Sequence, residues 1–275
     1  AWTAQAATGA TTVTITGGNG GNGGNAGTGV AGVAGVAGGT AQVNFDGTAT
    51  TIAANVTLDD GTAGTAGTTS GSFAGGAAGG AGQAVLDFNA ATSQAFTGNI
   101  LAAADGEGSI TIDGSTLTIN GTVGAAGVEV DDLTATTAAV TTNNSLYIED
   151  ITLVDGASDL TLNGTTAKVV SGAITGGAGT ADIITGASSS WTFEGAVGKN
   201  SAGTISAINE VNLVAAGTTA TFNSTVNADL ITTSATGTVT FNDLVTTAIL
   251  DVTNASTITL GSGFVAGETV FKTTA

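Results

Sequence analysis

The sequence lacks most of the residue types that carry enzyme chemistry. Its 275 residues include no Cys, His, Met or Pro, and its basic residues are Lys168, Lys199 and Lys272. Without His and Cys, a His-based catalytic triad, a thiol nucleophile and an ordinary zinc, copper, haem or iron–sulfur site are excluded. What remains is the chemistry of carboxylates and hydroxyls. The sequence therefore predicts a protein that is not an enzyme, with no catalytic and no cofactor-binding residue.

The charge balance argues against a nucleic-acid partner. Twenty-one acidic residues stand against three lysines, which gives a net charge of −18 at pH 7. Contacts to phosphate need Lys and Arg, and both are nearly or wholly missing. A phosphate-binding loop would need Gly-Lys-Ser or Gly-Lys-Thr after a glycine-rich turn, and the chain has no such string.

The composition is that of a folded chain without a membrane span. Hydrophobic residues make up 41% and charged residues only 9%, whereas disordered chains show low hydrophobicity and high charge. The apolar residues are interrupted by Thr and Gly, so no run approaches the roughly 20 residues of a membrane-spanning helix. The start at Ala1 and Trp2 fits a mature form after signal-peptide removal, or an internal fragment.

A 19-residue repeat is the strongest signal in the sequence. The ranges 219–237, 238–256 and 257–275 are three units of equal length, and each opens with alternating apolar and Thr positions. Phe222, Phe241 and Leu260 fall at the same position of their units. Alternation with a period of two predicts a β-strand with one buried face.

A unit of this length is too short to bury a core by itself, but stacked units cover one another. We therefore predict an all-β fold, a right-handed β-solenoid of about 10–14 turns with glycine-rich insertions. An antiparallel β-sandwich is the alternative. The predicted division is residues 1–87, with insertions at 17–40 and 61–82, followed by the strand repeats of residues 88–275. Within the repeats, Asp-Gly and Asn-Gly pairs mark turns, and a local hairpin over 110–121 is a second interpretation.

Two insertions repeat glycine every third residue. Residues 17–40 read GGN, GGN, GGN, AGT, GVA, GVA, GVA, GGT, with Ala26 in the one slot of the period that lacks glycine. Residues 61–69 read GTA, GTA, GTT. One interpretation is a flexible surface loop. The other is that these segments pair as extended, polyproline-II-like strands, with each other or with a neighbouring subunit, because glycine in one phase permits close packing.

Carboxylates at close spacing are the candidate metal ligands. Asp105 and Glu107 alternate with glycine as in the first half of a calcium loop, and Asp131 and Asp132 form an adjacent pair. These four residues predict a candidate Ca²⁺ site. The alternative is that they are solvated acids at strand ends.

The repeats at 192–231 and 238–260 resemble those of large bacterial surface proteins, the passenger domains of rickettsial outer-membrane-protein-B-like autotransporters and related surface-layer and adhesin proteins. The resemblance covers roughly residues 88–275 and includes no active-site motif. It implies a β-solenoid, export to the cell surface, and a structural or adhesive role.

Together these features predict an extracellular structural protein of the bacterial cell surface that binds copies of itself in a surface layer, sheath or filament. An adhesin passenger domain that binds host surfaces or cell-surface glycans is the alternative. A third hypothesis, a polysaccharide-active enzyme with two carboxylates across a cleft, would need stacking aromatics, and the chain has few aromatic residues, most of them Phe.

Overall fold

Alternating apolar and polar residues form short β-strands along the whole described chain. The computed structural model describes residues 11–46, 51–114, 116–155, 158–177, 181–186, 189–213, 215–234, 237–253, 257–261 and 263–272, and these contain strands and no helix. The strands are β1 (Thr11–Thr16), β2 (Ala41–Asn44), β3 (Thr51–Ile52), β4 (Ala54–Asp59), β5 (Ala84–Phe88), β6 (Gln94–Phe96), β7 (Ile100–Ala102), β8 (Glu107–Asp113), β9 (Leu117–Ile119), β10 (Val130–Thr136), β11 (Val140–Thr142), β12 (Ile148–Leu153), β13 (Leu160–Leu162), β14 (Ala167–Val170), β15 (Ala173–Gly176), β16 (Asp182–Thr185), β17 (Ser190–Phe193), β18 (Ile208–Leu213), β19 (Thr219–Phe222), β20 (Val226–Ser234), β21 (Thr238–Phe241), β22 (Val245–Thr253), β23 (Thr257–Leu260) and β24 (Phe264–Lys272).

The strands form three faces. Face one consists of the sheets β1-β4-β7 and β14-β17-β19-β21-β23, which single parallel bridges through Val123 and Leu146 join to each other. Face two is the sheet β2-β5-β8-β10-β12-β15, which a bridge through Val197 connects to the start of β20. Face three is the ten-stranded sheet that runs from β3 to β24.

The chain passes through face one, face two and face three in turn and then repeats the passage, which we call a circuit. Strands inside a sheet pair in parallel with the strand one circuit earlier and the strand one circuit later, as Thr221 does with Thr192 and Thr240. The ten strands of face three mark ten circuits, which at about 4.8 Å each span about 45 Å between the first and the last. This parallel pairing excludes the antiparallel sandwich. The 110–121 hairpin is also wrong, because β8 and β9 lie on different faces.

The 19-residue repeat is confirmed at the end of the chain. Phe222 pairs with Phe241 and Phe241 with Leu260, and the side chains of Asn223 and Asn242 are hydrogen-bonded across a step of 19 residues. Earlier circuits are longer: the bond from the Thr122 N–H to the Asn99 side chain spans 23 residues. The first two circuits take 43 to 44 residues, because the glycine-rich insertions lie between faces one and two.

The inward side chains of all three faces form one hydrophobic core. Its aromatic part includes a column on face one, in which the rings of Phe193 and Phe222 stack at 4.4 Å and those of Phe222 and Phe241 at 4.9 Å. Leu260 continues this column in the last described circuit. It is 46% exposed, whereas Phe222 and Phe241 are fully buried, so the last described circuit leaves part of the core uncovered.

Candidate functional site

The glycine-rich insertions form a bundle of four extended segments. We name them by their triplets: the GGN segment (17–26), the GVA segment (32–39), the GTA segment (61–68) and the GGA segment (75–82). The first two are joined by a turn with a bridge between Gly27 and Val30, and the last two by a turn with a bridge between Ser70 and Phe73. The bundle leaves the stack at the corner between faces one and two.

Hydrogen bonds hold the bundle together at every third residue. Main-chain N–H groups of the GGN segment donate to the parallel GTA segment, as Gly20 does to Thr62 (2.8 Å), and to the antiparallel GVA segment, as Gly21 does to Val36 (2.6 Å). The GGA segment donates to the GGN segment, as Gly79 does to Gly21 (2.9 Å). A period of three, with bonds between segments rather than within them, is the pattern expected of packed polyproline-II strands.

Three asparagines add a second set of bonds between the segments. The side-chain oxygens of Asn19, Asn22 and Asn25 accept the main-chain N–H groups of Thr62, Thr65 and Thr68, each at 2.9 Å. The Asn of each GGN triplet therefore binds the GTA segment. These bonds explain why Asn recurs at every third residue of the GGN segment.

The glycines allow the segments to approach closely. A Cβ on Gly32, Gly35 or Gly38 would overlap the main-chain carbonyl groups of Gly24, Gly21 and Gly18. The GGN segment has three neighbours and has glycine in two of its three phases, whereas the GVA and GTA segments have two neighbours each and glycine in one phase. Of the two interpretations of the insertions, the structure shows pairing between the segments.

A groove lies along the same corner, beyond the bundle. It has a volume of about 740 Å³ and its polar lining includes Asp105, Glu129, Glu149, Lys199 and Asp243. These residues come from several circuits and lie near the corner between faces one and two.

One side of the groove is a loop that folds back over earlier circuits. The hydroxyl of Ser201 donates to Oδ2 of Asp150 at 2.6 Å, and the N–H of Ser201 donates to Oδ1 of the same carboxylate at 3.0 Å. Lys199 and Ile205 pair in an antiparallel bridge at the base of this loop. Nothing in the sequence pointed to the contact of Ser201 with Asp150, because 51 residues separate the two and neither stands in a motif.

The carboxylates of the groove repel one another. Burial raises the pKa of Glu149, and Asp131, Asp105, Glu129 and Asp150 raise it further. Burial likewise raises the pKa of Glu129; a hydrogen bond with Ser171 opposes this shift, and Asp105 and Glu194 add to it. Such a corner attracts cations in general.

The four predicted calcium ligands divide into two pairs. Asp105 lies at the turn before β8, and Glu107 is the first residue of that strand. Oδ1 of Asp105 accepts the N–H of Glu129 (2.8 Å), and Oε2 of Glu107 accepts the N–H of Ala104 (2.9 Å). Asp131 and Asp132 are neighbours in β10. Both acids of the first pair therefore have main-chain donors as partners.

Both carboxyl groups of the second pair, Asp131 and Asp132, have a pKa above the ordinary value. Burial raises the pKa of Asp132, and Asp131 and Asp150 add to it; burial, Asp60 and Asp150 raise that of Asp131. Across the described ranges, no three or more acidic side chains are arranged to hold a metal ion. Calcium at these positions stays a prediction.

Comparison with protein-family models, curated proteins and solved structures found no match. The resemblance of the strand repeats to bacterial surface proteins therefore stays a prediction. In the part of the chain that the structure describes, there is no helix of the length and apolarity needed to cross a membrane.

Proposed function

We propose that this chain is a non-enzymatic structural protein of the bacterial cell surface, a right-handed β-solenoid that self-assembles into a layer, sheath or filament. The observation that carries the proposal is the parallel pairing of strands from circuit to circuit around one hydrophobic core, an arrangement that further units can extend. At the last described circuit, the aromatic column of face one reaches Leu260, which is 46% exposed, whereas Phe241 one circuit earlier is buried. A further circuit stacked on this end would cover Leu260.

The sheet edges support the same contact. In the described stack, β23 and β24 are bonded to a neighbour on one side, as are β1, β2 and β3 at the other end. A strand at a sheet edge presents N–H and C=O groups that can pair with another chain. Pairing of one end with the other is a head-to-tail contact, and such a contact that does not close into a ring produces a filament.

The handedness of the solenoid follows from a general rule. Parallel strands joined by a crossover are right-handed in about 98% of cases, because of the twist of the strands. An experimental density map of the protein would test this directly, and a left-handed passage through the three faces would contradict it.

The cell-surface location is supported by the resemblance of residues 192–231 and 238–260 to surface-protein repeats. Labelling of intact cells with an antibody against the chain, compared with labelling of lysed cells, tests it. Signal only after lysis would contradict it.

Electron microscopy of the purified protein tests the assembly. We expect filaments or sheets from the unaltered chain, and Leu260→Lys should shorten or abolish them, because a charge at this position would be buried in the contact. Ile205→Lys is the matched control, since Ile205 is 67% exposed but lies in the groove loop rather than at the end of the stack. A monomeric, disperse population with and without Ca²⁺ would contradict the proposal.

The groove favours an adhesive function as the second candidate. Its polar lining and open corner position suit a saccharide or peptide of a host or cell surface. Saturable binding of the monomeric chain to cells, reduced by Ser201→Ala, would support adhesion, whereas assembly without such binding would favour the structural role.

A further inference from the structure

The bundle has one apolar edge. Val33 and Val36 of the GVA segment are 78% and 79% exposed, and Val30, at the turn before this segment, is 66% exposed. A spacing of three residues places Val33 and Val36 on one side of a helix with three residues per turn. We call these three residues the valine edge. Single exposed apolar side chains are common on protein surfaces, but an aligned row is typical of an interaction site.

Packing within the bundle does not require these valines. The GVA and GTA segments occupy equivalent outer positions, each bonded to the GGN and GGA segments and not to one another. The GTA segment has exposed Thr62 and Thr65 at the triplet position where the GVA segment has Val33 and Val36. A side chain of the same size with a hydroxyl is therefore compatible with this position, and the apolar character of the valine edge needs a different explanation.

Charge indicates which partner can approach this edge. Residues 17–40 and 61–83 contain no charged residue, in a chain whose net charge is −18. Two copies that approach through their stacks bring acidic corners together, whereas two copies that approach through their bundles bring uncharged surfaces together. Repulsion between copies is therefore weakest at the bundle.

We propose that the valine edge binds the valine edge of a second copy of this chain, with the two GVA segments side by side about a twofold axis. Such a contact is self-complementary, because the same residues face each other from both copies. The segments are already ordered by their hydrogen bonds, so association costs little additional conformational entropy. The proposal rests on the proposed self-assembly, to which it adds a lateral contact distinct from the contact between the ends.

The contact is small. The GVA segment is about 25 Å long at about 3.1 Å per residue, so the buried area falls below the roughly 1,000 Å² of a stable isolated dimer. The contact is therefore weak between two free copies. It becomes strong where many copies are already aligned and several contacts act together.

Site-specific cross-linking tests the proposal. Because the sequence contains no Cys, an introduced cysteine supplies the one thiol that can react. In Val33→Cys, a twofold contact brings the two thiols close together, and mild oxidation should give a disulfide-linked dimer. The matched control is Thr65→Cys, which puts an exposed thiol at the equivalent position of the GTA segment. We expect Val33→Cys to cross-link at least about tenfold faster than Thr65→Cys because of the higher effective concentration.

Equal rates for the two variants would overturn the proposal. A second measurement uses Val33→Thr with Val36→Thr, which converts GVA triplets into the GTA triplets that the bundle already contains. In sedimentation velocity over a concentration series, this variant should associate more weakly than the unaltered chain. Unchanged association of the double variant would count against the valine edge even if the bundle remained folded.

The two proposals fail in different ways. Filaments that form while Val33→Cys and Thr65→Cys cross-link at the same rate would leave the self-assembly intact and refute the lateral contact. Rapid cross-linking of Val33→Cys in a protein that forms dimers but no filaments would confirm the valine edge and refute the assembly through the ends.

Discussion

The main chain of Gly35 lies directly against that of Gly21, so closely that a Cβ on Gly35 would overlap the carbonyl oxygen of Gly21. The N–H of Gly21 meanwhile donates to the carbonyl of Val36 at 2.6 Å. Hydrogen bonding and the absence of side chains therefore depend on each other at the centre of the bundle. This relationship distinguishes glycines that the fold requires from glycines that it merely contains.

Replacing Gly35 with Ala should open the bundle. Ala tolerates the extended backbone, so the cost comes from the overlap with Gly21, and overpacking of this kind costs about 1–3 kcal/mol. Hydrogen exchange of the amides of Gly18, Gly21 and Gly79 should become faster, while exchange in the strands of faces two and three stays unchanged.

Gly80→Ala is the control for this substitution, because a Cβ on Gly80 has nothing within 4 Å. It should leave exchange in the bundle unchanged. If the two variants behave alike, then close packing of Gly35 does not hold the bundle together.

Replacing Asn22 with Ala should loosen the GTA segment locally. The substitution removes the acceptor of the Thr65 N–H, and a hydrogen bond of this type contributes about 0.5–1.5 kcal/mol. The amide of Thr65 should exchange several times faster. Thr65→Ala keeps the N–H and should not change its protection; faster exchange in that variant as well would mean that the threonine side chain, not Asn22, protects the amide.

The sequence predicted the strands of the last circuits because each is a repeat of the one before. Phe222 and Phe241 stand one repeat apart, and the structure stacks them. In the middle of the chain this signal is weaker, since corner loops of different length separate strands such as β10 and β12. Strand pairing there depends on which inward side chains stack, and periodicity alone cannot show it.

The bundle could be predicted only as one of two alternatives. The triplets indicate extended segments with glycine in a fixed phase, but the identity of the partner of each segment depends on three-dimensional packing. The sequence did contain one partial signal: the GGN segment has glycine in two phases and three neighbours, and the GVA segment has glycine in one phase and two neighbours. The GGA segment departs from this pattern, because it has three neighbours but glycine throughout only one phase, at 76, 79 and 82. The contact of Ser201 with Asp150 in the groove had no such signal.

Replacing Phe222 with Ala should destabilise the stack strongly. Phe222 is fully buried and stacks on a ring to either side, and Phe→Ala in a core costs about 3–5 kcal/mol. Leu260→Ala changes the same register position in the half-exposed last circuit and should cost about 1 kcal/mol or less. Urea denaturation of both variants measures the difference, and equal losses would show that the column does not stabilise the fold from the inside.

Replacing Asp132 with Asn should stabilise the protein at neutral pH. Asp132 pairs directly with Asp150 in the neighbouring strand, and burial together with Asp131 and Asp150 raises the pKa of Asp132 above its ordinary value of 3.8. The folded state thus holds the proton of this group more tightly than the unfolded state. The stability of the unaltered protein should therefore fall as the pH rises from below 3.8 through the raised pKa. Like charges directly opposite one another in a sheet cost about 0.2–1 kcal/mol.

At pH 7 the Asn variant should accordingly be more stable by about that amount. Well below pH 3.8 the two proteins should be equally stable, because the side chain at position 132 is then neutral in both. Urea unfolding at both pH values measures the difference, and added salt should reduce it at pH 7. Asp113→Asn is the control, because Asp113 lies opposite the uncharged Thr136 in the same pair of strands, β8 and β10. This variant should gain less stability at pH 7 than Asp132→Asn. A pH-independent gain in Asp132→Asn would attribute the effect to packing instead of charge.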